Sequence, residues 1–154
     1  MDLGLSSDQE AIREIFGSFF ADQAGPDHAR AAQPLGFDPE GWARLGETGA
    51  PGMGVPVDAG GGGASLADLV VVAEEAGANI SPLPLVDHTV TARLLAGLDA
   101  VGDDVVSGAA VAGLAVRPAT GGLARSVRLV TDGGFLSTKT RPERSLTTPR
   151  VLRT

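Results

Sequence analysis

Residues of the types that most often carry catalysis or bind metals are sparse in this chain. The sequence has two histidines and no cysteine, which excludes disulfides and thiolate metal sites. His28 and His88 have no second metal-ligand type at a helical spacing, and no serine lies in a nucleophile-elbow sequence. We therefore predict no metal site and no catalytic residue, with both histidines at the surface or partly buried.

A few charged side chains remain as candidates. Glu74 and Glu75 could supply an acid or a base, although a solvated polar face is the more common explanation of such a pair. Arg93 falls one helical turn after Thr89 and could meet an anionic ligand. A surface or interdomain salt bridge is the more common role for such an arginine. Taken singly, these residues identify no active site.

A run of four glycines, Gly60 to Gly63, precedes a predicted helix and raises the question of a phosphate-binding loop. No Gly-Lys-Ser/Thr follows the run, and the G-x-G-x-x-G spacing after a strand is not met. We interpret the run as a flexible loop between two helices.

The elements that would position these residues are mostly helices. Ser7 and Glu10 have the spacing of a capping box, which predicts a first helix that ends near Ala24. Its apolar residues recur at helical spacing: Ile12, Ile15, Phe16, Phe19 and Phe20. A short segment over residues 28–33 follows.

Asp38, followed by Pro39, predicts the start of a third helix, with Trp42 and Leu45 on its inner face. Ser65 is expected to cap a fourth helix that ends at Gly77 or Asn79. The fourth helix has one apolar stripe, formed by Leu66, Leu69, Val70, Ala73 and Ala76.

A fifth helix is predicted over residues 85–95 and a weaker sixth over 103–106. Residues 111–116 are short, apolar and bounded by glycine and proline, which predicts a buried strand. We expect a helical domain over residues 1–110, the start of a β domain over 111–136, and a disordered basic tail over 137–154.

Charge is divided unevenly along the chain, which has a net charge of −7. Residues 1–116 carry a net charge of −13 and residues 117–154 a net charge of +6. The acidic body opposes phosphate binding, so we expect no nucleic acid partner. The polar start and the lack of a long apolar run predict no signal peptide and no membrane span, hence a soluble cytoplasmic protein.

Residues 52–77 resemble a pattern of the acyl-CoA dehydrogenase family, a "GxxVPxxxGG" loop followed by a "DLxxVxEELG" helix. Residues 3–12, 37–45 and 81–85 are similar to further stretches of that family, and the resemblance runs to about residue 122. It implies a mainly α, up-and-down helical N-terminal domain followed by the start of the middle β domain.

The resemblance also implies a function. Family members use FAD to take hydride from the β-carbon of an acyl-CoA thioester, while a glutamate of the C-terminal region removes the α-proton. It implies Val86, Thr89, Val90 and Arg93 as residues that line the acyl pocket. Backbone groups of Ala115 and Val116 would contact the flavin.

The sequence departs from the family pattern in the flavin motif "TEPxxGSD". Pro118 and Gly121 are kept, but the four polar positions of the motif hold other residues: Val116, Arg117, Gly122 and Leu123. Two hydroxyls that could bond the flavin are thereby absent.

Family members continue with a middle β-barrel and a C-terminal four-helix bundle that carries the catalytic base. Most of that barrel and all of that bundle have no counterpart in the sequence. The composition also changes abruptly near residue 125, which suggests a shifted frame or an early stop in a longer gene. We expect a chain that is inactive alone or needs a companion subunit, in a homo- or hetero-oligomer, as in some steroid-side-chain dehydrogenases. The alternative is a non-catalytic helical module that binds a protein partner.

Overall fold

A computed structural model describes residues 4–115, 126–131 and 134–139 of the chain. This part of the chain contains six α-helices, two short 3-10 turns (Ala50–Gly52 and Val57–Ala59) and three strands. The helices are α1 (Ser7–Gln23), α2 (Pro26–Ala32), α3 (Pro39–Glu47), α4 (Leu66–Ala78), α5 (Leu85–Ala96) and α6 (Asp103–Ser107). The strands are β1 (Val111–Ala115), β2 (Ser126–Thr131) and β3 (Gly134–Lys139). The predicted mainly helical fold is confirmed.

The N-cap of helix α1 lies one residue before the predicted one. Ser6 is the N-cap, its side chain accepts from the Gln9 N–H, and the Gln9 side chain returns a bond to the Ser6 N–H. The prediction that Ser7 and Glu10 form the box is therefore wrong by one position. A Gln at the third helical position closes the box as well as a Glu does.

Two short helices follow, and their starts agree with simple capping rules. Helix α2 begins at Pro26, two residues before the predicted segment, because proline needs no hydrogen bond to its nitrogen at a first helical position. The Asp38 carboxylate accepts from two N–H groups at the start of α3. Trp42 and Leu45 lie on the inner face of α3 and are 5% and 0% exposed, as predicted.

Helix α4 packs against α1 through a face that the sequence analysis assigned incorrectly. Ser65 caps α4 as predicted, in a capping box with Asp68. The buried residues of α4 are Val71, Val72 and Ala76, and the first two lie outside the predicted stripe. Because α4 carries apolar residues on most of its surface, its periodicity does not identify the face that the core covers.

Two core clusters connect the helices. The first joins the aromatic residues of α1 and α3 to α4 and α5: Phe16, Phe20, Trp42, Leu45, Ala50, Val72, Ala76 and Leu85. The second joins the far half of α5 to α6 and β1: Val55, Ala92, Ala96, Val105, Ala110 and Ala112. Helix α5 is common to both clusters, and α5 and β1 are in contact.

The three strands form an antiparallel sheet in the order β1-β2-β3, with Val111 paired to Val130 and Ser126 to Lys139. The tail predicted to be disordered from residue 137 is corrected at its start, because residues 137–139 pair with β2. Residues 140–154 lie outside the described part of the chain. Among the described helices, none combines the length and apolarity needed to cross a bilayer.

Candidate functional site

An open groove lies between α4 and α5, with a cavity volume of about 130 Å³. It is lined by Met53, Leu66, Leu69, Val70, Val72, Ala73, Leu85, Val86, Thr89, Val90 and Arg93. Much of the apolar stripe predicted for α4 faces this groove. Leu66 and Val70 remain 64% and 48% exposed, so these side chains form an apolar surface that the described part of the chain leaves uncovered.

The four residues predicted to line an acyl pocket all lie along one wall of this groove. Val86, Thr89, Val90 and Arg93 are separated by three, one and three positions on α5, which places them on one face of the helix. Val86 is 53% and Val90 46% exposed, whereas Thr89 is only 7% exposed. The groove therefore has two exposed valines and a nearly buried hydroxyl residue on the α5 side.

Gly54 allows α4 and α5 to approach the preceding loop. A Cβ added at Gly54 would lie 2.7 Å from Leu69 Cδ1 and 3.2 Å from Thr89 Cγ2. Because those side chains belong to opposite walls of the groove, a larger residue at Gly54 would require the Leu69 and Thr89 side chains to shift.

Arg93 is anchored to that loop by carbonyl groups. Its Nη1 donates to Gly54 O at 3.0 Å and to Ala64 O at 3.3 Å. No carboxylate of the described residues pairs with it, so the salt bridge proposed for Arg93 is not found in this part of the chain. The arginine instead ties the glycine-rich loop to α5.

The run Gly60–Gly63 is folded back on the residues before it, which corrects the interpretation as a flexible loop. Gly62 N–H donates to Gly52 O at 3.1 Å, and Gly63 N–H to Val55 O at 2.8 Å. The amides of residues 60, 61 and 64 are bonded within the same loop. No amide of the run is left to hold a phosphate, which agrees with the missing phosphate-loop sequence.

His88 is the clearest error of the sequence analysis, because it is completely buried. Its Nδ1 accepts from the Ala112 N–H at 3.0 Å, so Nε2 carries the proton and donates to Val105 O at 3.0 Å. The Trp42 ring packs edge-on against the imidazole, with the two ring centroids 4.9 Å apart. Burial lowers the pKa of His88 to about 4, against the smaller opposing effect of the Val105 bond.

A signal for this burial was present in the sequence. His88 lies three residues after Leu85 and four before Ala92, and both of these are buried on α5. That spacing places the histidine on the core face of the helix. His28, by contrast, is exposed as predicted.

The other candidates do not approach the groove. Glu74 and Glu75 both pair with Arg13 of α1, at 3.3 Å and 3.4 Å. They therefore connect α1 to α4. The Glu74 side chain is 60% exposed, as expected of a solvated face, whereas that of Glu75 is 20% exposed. The two carboxylates are absent from the groove lining.

Ala115, one of the two predicted flavin-contacting positions, is the last residue of β1. Because the Ala112 N–H points to His88, the alternation of an antiparallel ladder directs the backbone groups of Ala115 toward β2. The same alternation turns the N–H and C=O of Leu114 to the free edge of β1. Val116 lies outside the described residues.

Comparison with known proteins agrees with this architecture. Residues 6–123 match the acyl-CoA dehydrogenase N-terminal domain. The chain is 39% identical over 88 residues to acyl-CoA dehydrogenase IpdE2 of Mycolicibacterium smegmatis, a match that covers 55% of this chain and 28% of that protein. It is 36% identical over 85 residues to IpdE2 of Mycobacterium tuberculosis, covering 53% of this chain and 27% of that protein.

A solved structure has the same fold. A chain in the crystal structure of the ChsE4-ChsE5 complex from Mycobacterium tuberculosis superposes with a TM-score of 0.69 at 20% identity. The superposition covers 91% of this chain and 48% of the other. The chain thus spans about a quarter of its two relatives and about half of this structural neighbour. Since the match to the N-terminal domain extends over most of its length, the chain belongs to the acyl-CoA dehydrogenase family.

Proposed function

We propose that the groove between α4 and α5 holds the acyl chain of an acyl-CoA thioester, as part of an FAD-dependent enzyme that desaturates the α,β bond. The observation that supports this most directly is the uncovered apolar groove whose α5 wall consists of the residues predicted for an acyl pocket. The proposal carries the family's reaction to a chain that is much shorter than its relatives.

The groove has the size and polarity for a hydrocarbon segment. Its volume of about 130 Å³ is comparable to the roughly 150 Å³ of an engineered protein cavity that admits benzene. Each methylene that moves from water into such a site contributes about 0.8 kcal/mol. A few methylenes therefore supply several kcal/mol, enough to orient a thioester for reaction.

The flavin, when bound, would accept the hydride from the β-carbon of the thioester. The free edge of β1 fits such a group through the Leu114 N–H and C=O, which match the acceptors and donors along an isoalloxazine edge. Leu114 as a whole residue is 36% exposed. Flavin binding at this edge would depend on backbone groups, because the hydroxyl and carboxyl residues of the family's flavin motif are replaced in this sequence.

The base that removes the α-proton must come from outside this groove. Its lining contains no carboxylate and no histidine among the described residues, and Glu74 and Glu75 are paired with Arg13. We infer that further polypeptide, in a homo- or hetero-oligomer, supplies the base and completes the flavin site. The structural neighbour was solved as a ChsE4-ChsE5 complex, which supports an assembly of this kind.

The groove can be tested by filling it. Ala73 lies in the lining, and Ala73→Phe would occupy space that the acyl chain needs. We expect Ala73→Phe to weaken octanoyl-CoA binding at least about tenfold, because several buried methylenes are displaced. Isothermal titration calorimetry on the full chain, with any subunit that co-purifies, measures this.

The matched control is Ala78→Phe, at an exposed position on the last turn of the same helix. It adds the same ring away from the groove and should bind octanoyl-CoA as the parent chain does. Equal affinity of all three proteins, or no binding to any of them, would contradict an acyl site between α4 and α5.

The second candidate function is a non-catalytic helical module. It is favoured by the exposed apolar side chains of α4 and α5, because uncovered apolar surface commonly marks a protein interface. These include Leu66, Val70, Val86, Val90 and Leu94, which are 46% to 64% exposed. Under this alternative, octanoyl-CoA does not bind, and the purified protein shows no flavin absorbance even with its partner present.

A further inference from the structure

Helix α5 carries an apolar ridge on the side that faces away from the core. Val86, Val90 and Leu94 are spaced four residues apart, which aligns their side chains in one row along the helix. They are 53%, 46% and 47% exposed, and Leu98, four residues further on, is 61% exposed. The buried residues of α5 lie on the opposite side, toward the two core clusters. The described part of the chain therefore leaves this ridge uncovered.

The ridge extends beyond the groove proposed for the acyl chain. Leu94 and Leu98 are exposed but do not line the groove, so an acyl chain held there would leave both of them in water. On the other wall of the groove, Leu66 and Val70 of α4 add further exposed apolar surface. Uncovered apolar surface that continues over two helices commonly marks a protein interface.

The charges of α5 suit a second copy of the same helix. The helix carries two charged residues, Asp87 and Arg93, and both are exposed. They lie three positions before and three after Val90, so an antiparallel pair centred on Val90 brings Asp87 level with Arg93 of the second copy. A parallel pair would instead bring the two Asp87 residues level with each other, which like-charge repulsion disfavours. The charge pattern of α5 is therefore complementary to itself in the antiparallel direction.

The electrostatics of the rest of the chain also favour contact through this face. Residues 1–116 carry a net charge of −13, so most faces of two copies repel each other. Helix α5 has one acid and one base and is neutral, because burial keeps His88 uncharged. Two acidic chains can therefore approach each other along α5 without a charge penalty.

The spacing of the ridge fits the packing of one helix on another. Side chains four residues apart form rows inclined to the helix axis, and two such rows interdigitate when the helices cross at about 50°. In an antiparallel pair centred on Val90, Val86 lies level with Leu94 of the second copy, and the two Val90 side chains meet at the centre. Each copy thus contributes the same three residues, as a two-fold symmetric contact requires.

We propose that α5 is a dimer interface, through which two copies of this chain pack antiparallel about a two-fold axis beside Val90. Val86, Val90 and Leu94 of each copy are buried in the contact. An interface built on one helix per chain is at the small end of specific interfaces, below about 1,200 Å² in total, so we expect a reversible dimer with a micromolar dissociation constant. The proposal goes beyond the acyl site and does not depend on it, since the ridge includes Leu94.

Sedimentation equilibrium of the full chain over a range of concentrations tests the dimer. We expect Leu94→Glu to raise the dissociation constant at least about tenfold, because the contact would bury an unpaired charge. The matched control is Leu35→Glu, the same change at a leucine that is 65% exposed and lies outside α5. We expect this control to dimerise as the parent chain does. Unchanged far-ultraviolet circular dichroism shows that both variants are folded.

Crosslinking of single cysteines tests the antiparallel direction and uses milder substitutions. The chain has no cysteine of its own, so every thiol is an introduced one. In the antiparallel pair, the two 86 positions are about 12 Å apart along the helices, whereas position 86 is level with position 94 of the second copy. With a thiol crosslinker of shorter reach, we expect a mixture of Val86→Cys and Leu94→Cys chains to crosslink, and Val86→Cys alone not to.

Each contrary result overturns a stated part of the proposal. A single chain mass at every concentration, or a dimer that Leu94→Glu leaves intact, overturns the α5 interface. Efficient crosslinking of Val86→Cys alone overturns the antiparallel arrangement. Association only with a co-purifying protein assigns the ridge to that protein instead of a second copy. None of these results bears on the acyl groove, which Ala73→Phe and octanoyl-CoA binding test separately, because Leu94 does not line it.

Discussion

At the scale of single residues, His88 joins three elements through one imidazole ring. It lies on α5, donates to the carbonyl of Val105 in α6 and accepts from the Ala112 N–H in β1. That N–H is on the edge of β1 that faces away from β2, where an uncovered strand could pair with another chain. The histidine therefore satisfies an edge position of the sheet while it connects the sheet to the helices.

The buried His88 makes stability depend on pH in a defined direction. Its pKa is lowered by burial to about 4, whereas an unfolded histidine has a pKa of about 6.5. Between these values the unfolded chain binds a proton that the folded chain does not. The contribution of neutral His88 to the free energy of unfolding is therefore complete above about pH 6.5. It is lost as the pH falls toward 4, by about 3 kcal/mol in total.

Urea denaturation from pH 7.5 to pH 4 measures this dependence. Carboxylates also titrate in the lower part of the range, so the quantity to compare is the difference between variants. His88→Gln keeps a donor and an acceptor but cannot titrate, so we expect this variant to lose the part of the pH dependence of the unfolding free energy that His88 causes. His28→Gln, at an exposed position, should retain that pH dependence. The assignment is wrong if only His28→Gln flattens the profile.

The structural roles of residues were predictable from the sequence where local rules apply. They were missed where contacts with distant residues determine the role. Asp38 and Ser65 were identified as caps because a cap depends on the next three residues. The burial of His88 depends on Val105 and Ala112, which are 17 and 24 positions away. Local spacing alone cannot supply those partners, although the apolar face of α5 gave a partial signal.

At the scale of elements, the loop from Gly52 to Ala64 sets the position of one end of the groove. Five consecutive amides, those of residues 60–64, donate within the loop. Gly60 and Gly63 have φ values of +84° and +68°, in the region that glycine adopts most readily. The glycines are therefore needed for a compact fold of the loop, and Arg93 then attaches the loop to α5.

Two glycine-to-alanine substitutions should have opposite effects. A Cβ at Gly61 would overlap the Val55 carbonyl group, whereas a Cβ at Gly77 of α4 meets nothing within 4 Å. We expect Gly61→Ala to destabilise the fold by about 1–3 kcal/mol and Gly77→Ala to stabilise it by up to about 1 kcal/mol. Urea midpoints measured at one pH test this. Equal midpoints for the two variants would mean that the loop is not closed as described.

The elements themselves were largely predictable, and the faces they present were not. The bounds of α5 and α6 differ by one residue from those expected, because proline and glycine mark their ends. The buried face of α4 was misassigned, because α4 has apolar residues both toward α1 and toward the groove. Which of two apolar faces is covered depends on the partner helix, and the α4 sequence contains no information about that partner.

At the scale of the whole molecule, the described part of the chain leaves an apolar groove open between α4 and α5 and one edge of β1 unpaired. Helix α5 contributes one wall of the groove and, through His88, the attachment of β1. The groove proposed for the acyl chain and the Leu114 edge are thus attached to the same helix, which under the proposed function would keep a substrate and a flavin in a fixed relation. The resemblance to the family grouped Val86, Thr89, Val90 and Arg93, and these residues do line one groove; their contact with an acyl chain stays a prediction.

The location of the acyl chain is the central claim, and intermolecular NOEs measure it most directly. The full chain, with methyl groups of Leu and Val labelled and any co-purifying subunit present, is mixed with octanoyl-CoA. We predict NOEs from the acyl methylenes to the methyls of Leu69, Val86 and Val90, and none to Val101, which packs against the second core cluster. NOEs confined to other residues, or their absence under saturating ligand, would contradict an acyl site between α4 and α5.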